Sequence, residues 1–229
     1  MSAANGNSID SLVGLSGFRC IVADPPWDYK PKRGGNSYAK RKGWYYAGGV
    51  KESPLPYQCM STEDICRLPI ADCADRDGCR LFCWATNAHL HDALHVVEAW
   101  GFRYAQTLVW HKTNASPFSG SVAFGSAEFL LVAVRGKVPI LSKARSSVVS
   151  LGHHHNHSQK PEAFQDLVMA TTPGPYLELF ARRPRLGWVT IGNEADGMDV
   201  KDSLSLLAQG KHPCYGVEKH GESRHEQDV

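Results

Sequence analysis

The sequence predicts an α/β fold: a mainly parallel, doubly wound sheet with helices on both faces. Two observations carry this expectation. Short apolar runs alternate along the chain with segments of helical period, the pattern of successive strand–helix–strand units. The first apolar run, Arg19 to Ala23, stops at Asp24-Pro25-Pro26-Trp27. Two prolines can neither continue a sheet nor occupy a helix interior, so the chain turns there. A carboxylate, two proline carbonyls and a large aromatic are thereby presented at the end of a strand, where open α/β sheets bind ligands. With 229 residues, 42% of them hydrophobic and 21% charged, one domain with a sufficient core is expected.

The elements follow in order. Met1 to Asn7 is small and polar and reads as a frayed end. Ile9 to Leu12 reads as a turn or short strand leading into the Arg19–Ala23 strand. Asp28 to Lys51 is a long segment that carries Lys30, Lys32, Arg33, Lys40, Arg41, Lys42 and Lys51, with Tyr29, Tyr38, Trp44, Tyr45 and Tyr46 between them. Cations for phosphates and rings for bases are the composition of a nucleic-acid-contacting loop. A solvated loop without a specific partner is the alternative. Met60-Ser61-Thr62-Glu63-Asp64 has helix-start chemistry, and Pro69 ends that helix. Arg80 to Ala85 is the second strand. Thr86-Asn87 caps a helix with Leu90, Ala93, Leu94, Val97 and Trp100 on one face, and Gly101 closes it. Tyr104 to His111 and Glu128 to Arg135 are further strands. Lys137 to Ser158 reads as irregular. Ser158 and Pro161 announce a helix with Phe164, Leu167 and Val168 inward, broken at Pro173-Gly174-Pro175. Tyr176 to Ala181 and Trp188 to Gly192 are two more strands. Ser203 to Leu207 suggests a short helix, and the charged tail from Lys211 reads as mobile.

Several function classes are excluded or lose weight. A net charge of +2 gives no global field for nucleic acid, so any such signal is local. Neither the glycine-rich dinucleotide fingerprint nor a P-loop is present, so the chain is not an evident dehydrogenase or kinase. No long apolar run or secretory leader is seen, which points away from the membrane. Seven cysteines, none in a Cys-x-x-Cys pair, fit reduced core thiols in a cytoplasm-like compartment.

The Asp-Pro-Pro-Trp turn suits an exocyclic amine. Asp24 and the Pro25 carbonyl can each accept one N–H, and Trp27 can stack on the base, a contact worth about 1–3 kcal/mol. A rigid turn with a surface aromatic is the plainer reading of the four residues taken alone. Other stretches agree with the amine reading: Leu55-Pro56-Tyr57 before Met60-Ser61, Trp84-Ala85-Thr86-Asn87, Val109-Trp110-His111-Lys112-Thr113-Asn114, Glu128 ahead of Leu131–Gly136, His157-Ser158-Gln159-Lys160-Pro161, Glu178-Leu179-Phe180-Ala181-Arg182 and Trp188–Glu194. With these the chain resembles the S-adenosylmethionine-dependent adenine N6-methyltransferases. That family includes the catalytic subunit of the messenger-RNA adenosine methyltransferase and its bacterial and phage relatives.

The resemblance implies a Rossmann-like class I methyltransferase fold with circularly permuted motifs. It implies S-adenosylmethionine as cofactor, S-adenosylhomocysteine as product and no metal. Carried over by position, Asp24, Pro25, Pro26 and Trp27 hold and orient the target amine. Lys160 reaches the carboxylate of the cofactor's methionine part; Phe180, Arg182, Asn193 and Glu194 surround the ribose; Glu178, His157 and Ser158 belong to the cofactor wall; Ile9 and Asp10 touch its adenine. Tyr57 and Glu128 face the target nucleoside; Lys112 and Asn114 are further expected substrate contacts, and Tyr38, Lys40, Arg41 and Trp44 are expected to meet the substrate strand by the basic, aromatic composition of their segment. His153, His154, His155 and His157 read as a lid over the cofactor rather than a metal site, because no carboxylate or cysteine spacing accompanies them. Residues 30–51 look like an insertion relative to the messenger-RNA member. The expected organisation is a single methyltransferase domain over residues 1–200 and a C-terminal helix with tail over 201–229.

The expected activity is methyl transfer to adenine N6 in DNA, favoured over RNA because the chain lacks the long extra regions of the messenger-RNA member. A prokaryotic or phage-encoded cytoplasmic protein, monomer or homodimer, would suit it. The alternatives are RNA adenosine N6-methylation, cytosine N4-methylation, and a non-catalytic nucleic-acid-binding subunit that has kept the fold.

Overall fold

The structure is a computed structural model that describes residues 17–28, 59–114, 125–152, 160–209 and 211. Seven strands form one sheet: β1 (Cys20–Ala23), β2 (Gly78–Ala85), β3 (Arg103–Lys112), β4 (Ala127–Gly136), β5 (Val148–Leu151), β6 (Tyr176–Leu179) and β7 (Trp188–Ile191). Their spatial order is β5-β3-β4-β2-β1-β6-β7. β1 pairs in parallel with β2 and β6, β6 with β7, and β3 with β5. β4 alone among these strands runs the other way, antiparallel to both β2 and β3. The start of β4 therefore shares an edge with the C-terminal ends of the other strands.

The helices are α1 (Thr62–Cys66), α2 (Ile70–Cys73), α3 (Leu90–Ala99), α4 (Glu162–Thr171) and α5 (Val200–Ala208). Successive side chains on a strand face opposite ways, so each strand divides its apolar residues between two layers. Ile21, Ala23, Leu81, Cys83, Leu177 and Leu179 pack with Ile65, Val96, Val97, Leu204 and Leu207, which covers one face with α1, α3 and α5. Cys20, Val22, Phe82, Trp84, Trp110 and Leu130 pack with Phe164 and Val168 of α4 on the other. Both faces are thus covered, as near-continuous apolar strands require.

Local chemistry accounts for the element ends. Ser61 accepts the Asp64 N–H at 3.1 Å and caps α1. Asp199 accepts the Lys201 N–H at 2.8 Å and starts α5 at Val200, earlier than the expected Ser203. Of the face expected of α3, Ala93, Val97 and Trp100 are buried and Leu90 and Leu94 partly so, with Val96 added to it. β5 lies inside the stretch expected to be irregular. It is an edge strand of alternating exposed and half-exposed residues, so it lacks the apolar signal of a buried strand. β6 ends at Leu179 rather than Ala181, because Phe180 turns out of the strand with φ 61°. The predicted segments 1–16, 29–58 and 212–229 lie outside the described residues, as do the four histidines of the expected lid. No helix among the described residues is long and apolar enough to cross a membrane.

Candidate active site

Asp24 follows the last residue of β1 directly. The turn after it is fixed by its own backbone: the Trp27 N–H donates to the Pro25 carbonyl at 2.9 Å, and the Met60 N–H donates to the Pro26 carbonyl at 2.9 Å. The Pro25 oxygen keeps a second lone pair for a ligand. Beside this turn lies a cavity of about 290 Å³. Asp24, Pro25, Pro26 and Trp27 line it together with Glu128, Lys160, Phe180, Arg182, Asn193 and Glu194. These residues come from β1, β4, the approach to α4 and the ends of β6 and β7. The sheet order alone brings them to one edge.

Strand parity explains why the charges meet. Asp24 continues the face of Val22, and Glu178 is the register partner of Val22 on β6. Glu128 is the partner of Trp110, and Trp84 the partner of Leu130. All project to the α4 side, where Lys160 enters. The Lys160 ammonium donates to Asp24 Oδ2 at 2.8 Å and lies 3.4 Å from Glu128 Oε2. Lys112 forms an ion pair with the other oxygen of Glu128. Lys160 sits 5.4 Å from the Trp84 ring centre, and Lys112 sits 4.7 Å from that of Trp110.

Burial disfavours charge at each of these groups, and neighbours decide the outcome. Burial raises the Asp24 pKa, and the Lys160 ammonium offsets only part of the rise. Glu128 is also penalised by burial, but Lys160 and Lys112 together hold its carboxyl below the usual range. Burial acts to lower the Lys160 pKa, and the two carboxylates reverse this and raise it.

Three expectations take a different form here. Trp27 does not present a free face for base stacking. Its indole is 5% exposed, stacks on His89 at 5.6 Å and donates to the Trp84 carbonyl at 3.3 Å. His89 is held in turn by Thr86 and the Asp28 carbonyl. Glu178 does not line the cavity, because Gln165 of α4 donates to its carboxylate at 3.1 Å. Asn114 is exposed at the end of β3, away from the cavity lining. Ile9, Asp10, Tyr38, Lys40, Arg41, Trp44, Tyr57, His157 and Ser158 lie outside the described residues.

Other lining residues were not singled out from the sequence: Cys59, Asp64, Thr86, Gly192, Asp199 and Lys201. Gly192 is a special case. A Cβ there would lie 2.6 Å from the Ala181 nitrogen, so only glycine lets the ends of β6 and β7 close together. Its place directly after an apolar strand was the available signal. Among the described residues, Cys20, Cys73, Cys79 and Cys83 are buried free thiols. Burial pushes their pKa values up, to about 12 for Cys73.

Residues 18–194 match the MT-A70 family. The chain belongs to the MT-A70 family. These are S-adenosylmethionine-dependent N6-adenine methyltransferases. Among MT-A70-type relatives, the chain is 30% identical over 201 residues to the type II methyltransferase M.MunI of a Mycoplasma species, covering 85% of this chain and 83% of that protein. It is 25% identical over 212 residues to the MT-A70-like N(6)-adenosine-methyltransferase of Drosophila melanogaster, covering 88% of this chain and 31% of that protein. It is 25% identical over 197 residues to human METTL3, an N(6)-adenosine-methyltransferase catalytic subunit, covering 82% of this chain and 30% of METTL3. The chain thus spans most of the first relative and under a third of the other two.

The residues of the cavity suit the MT-A70 cofactor chemically. S-Adenosylmethionine carries a sulfonium, an ammonium, a carboxylate and two ribose hydroxyls. The cavity offers carboxylates at Asp24 and Glu194, the Arg182 guanidinium, the Asn193 amide and the apolar surfaces of Met60 and Phe180. Arg182 and Glu194 form an ion pair at 3.8 Å in this lining.

Proposed function

We propose that the protein methylates the N6 amine of adenine in DNA, using S-adenosylmethionine. The observation that carries the reading is the Asp24 carboxylate, held by Lys160 at the edge of a cavity that suits the cofactor. When bound, the cofactor supplies a methyl group already activated on sulfur. Asp24 and the second lone pair of the Pro25 oxygen each accept one N–H of the amine. This draws the nitrogen lone pair out of ring conjugation and orients it across the cavity. Asp24 also stabilises the positive charge that grows on nitrogen. The rest is alignment of the two reactants. An adenine in a duplex must be turned out of the stack to reach Asp24.

DNA is favoured by the extent of similarity. The match to the type II methyltransferase covers 83% of that protein, against 31% and 30% of the two adenosine methyltransferases. In this reading residues 30–51 contact the substrate strand. The protein works in a prokaryotic or phage-infected cytoplasm, where its thiols stay reduced.

The test offers radiolabelled S-adenosylmethionine with DNA and with RNA of the same sequences, to the natural protein and to Asp24→Ala. Label in DNA, lost in the variant and recovered as N6-methyladenine after digestion to nucleosides, is the expected result. Label in RNA alone overturns the choice of DNA, and label on cytosine overturns the choice of base. Undiminished turnover by Asp24→Ala removes Asp24 from the chemistry.

A further inference from the structure

We propose that Lys112 is a positioning residue that acts through Glu128 and Lys160 on Asp24, rather than a contact to the substrate strand. The proposal rests on the methyltransferase reading above. Four side chains from four separate parts of the chain form an alternating row, Lys112–Glu128–Lys160–Asp24. Their exposures are 16%, 11%, 12% and 27% in that order, so only the last opens appreciably to solvent. Asp24, Glu128 and Lys160 line the cavity, and Lys112 does not. Each ammonium lies over an indole, Lys160 over Trp84 and Lys112 over Trp110. The two indoles meet edge to face with centres 6.3 Å apart.

A largely buried ammonium already paired to a carboxylate is poorly placed to meet a phosphate. Its charge serves the row instead. Lys160 is shared by two carboxylates, and its position between them depends on how much of the Glu128 charge Lys112 neutralises. Without Lys112, Glu128 draws Lys160 toward itself. Asp24 then loses the partner that holds Oδ2, and with it the orientation in which it meets the amine.

The groups facing this row set its pH dependence. Asp24 faces Lys160, Glu128, Arg182, Glu178 and Cys83, and Glu128 faces Lys112, Lys160 and Asp24. Removing the Lys112 cation makes Glu128 easier to protonate, and a neutral Glu128 no longer competes with Asp24 for Lys160, so the loss in Lys112→Met is largest where Glu128 is ionised and shrinks toward acid pH.

The experiment measures kcat, KM for DNA, salt dependence and the pH–rate profile for the natural protein, Lys112→Met, Lys112→Arg and the double variant Lys112→Met/Glu128→Gln, with thermal unfolding alongside. Lys112→Met is expected to lower kcat about tenfold or more, part of the roughly hundredfold that a 1 Å misplacement costs an oriented site. KM for DNA and the salt slope stay unchanged, and the loss shrinks toward acid pH. Lys112→Arg, which keeps the ion pair, retains kcat, and adding Glu128→Gln to Lys112→Met restores kcat by removing the charge that draws Lys160 away. A raised KM with a shallower salt slope and unchanged kcat makes Lys112 a phosphate contact and overturns the proposal. A Lys112→Met protein that turns over normally overturns it too. So does a loss of kcat that only follows the fraction unfolded. A natural protein that transfers no methyl group overturns the methyltransferase reading, and the proposal with it.

Discussion

Glu128 and Glu178 lie on one face of one sheet and are both buried, yet their neighbours shift their carboxyl pKa values in opposite directions. Two ammoniums flank Glu128, and its pKa falls below 4.5. Its charge therefore stabilises the fold above pH 4.5, and that stability is lost as pH falls through the depressed value. Glu178 has only the Gln165 amide as a close partner among the described residues, and burial raises its pKa above 4.5. Stability is lost there as pH rises from 4.5 to the raised value, so at neutral pH the Glu178 charge opposes folding. Glu178→Gln is accordingly expected to raise the thermal midpoint at pH 7, by roughly 2–4 °C for each kcal/mol recovered. The gain should vanish near pH 4. Calorimetry at the two pH values checks this; an unchanged midpoint at pH 7 would mean that solvent reaches the carboxylate. The sequence marked both glutamates as candidate site residues. It could not tell them apart, because the difference lies in partners 13 to 32 residues away, and pairing at that distance is written in the fold rather than in local pattern.

At the scale of elements, the point where the paired ends of β6 and β7 close together is a sensitive one. Phe180 leaves β6 with φ 61°, a conformation that costs a non-glycine residue on the order of 1–3 kcal/mol. Ala181 then donates its N–H to the Ile191 carbonyl at 2.8 Å, which holds the two strand ends together over Gly192. Gly192→Ala must force them apart and is expected to destabilise the protein by about 1–3 kcal/mol, as overpacking does. It should also weaken cofactor binding more than substitutions on the remote faces of the helices do. Urea unfolding and calorimetric titration with S-adenosylhomocysteine measure the two effects; wild-type affinity would show that the strand ends yield without cost. Buried strands were legible because apolar runs such as Arg80–Ala85 have no other use in a domain of this size. β5 was not. Among the described residues Val148 to Leu151 pairs with β3 alone, and its exposed alternate residues can be polar without penalty. α2 hid behind Pro69, which reads as a helix stop but here also serves as the N-terminal cap of the next turn.

For the molecule as a whole, sheet order did what no single motif could: it gathered Asp24, Glu128, Lys160, Phe180 and Arg182, spread over most of the chain, at one edge. The alternation of strands and helices made that edge predictable. The reversal of β4, which puts Glu128 at a strand's beginning, was not predictable, since an apolar run carries no direction. The net charge of +2 leaves long-range attraction of a polyanion to local clusters, and residues 40–42 are the densest of these in the sequence. Replacing Lys40, Arg41 and Lys42 by alanine is expected to weaken DNA binding and to flatten its salt dependence by roughly 0.9 in slope for each phosphate no longer neutralised. Binding measured across salt concentrations reads this directly, and an unchanged slope would assign the cluster to solvent.

The indoles under the charged row have an optical consequence. Trp84 lies beneath one ammonium and Trp110 beneath the next, while Trp27 forms part of the cavity wall. Indole emission responds in colour and intensity to nearby charge. The protein therefore carries native fluorophores at the place where a ligand would rearrange charge, and its ultraviolet emission can follow occupancy in solution without a label.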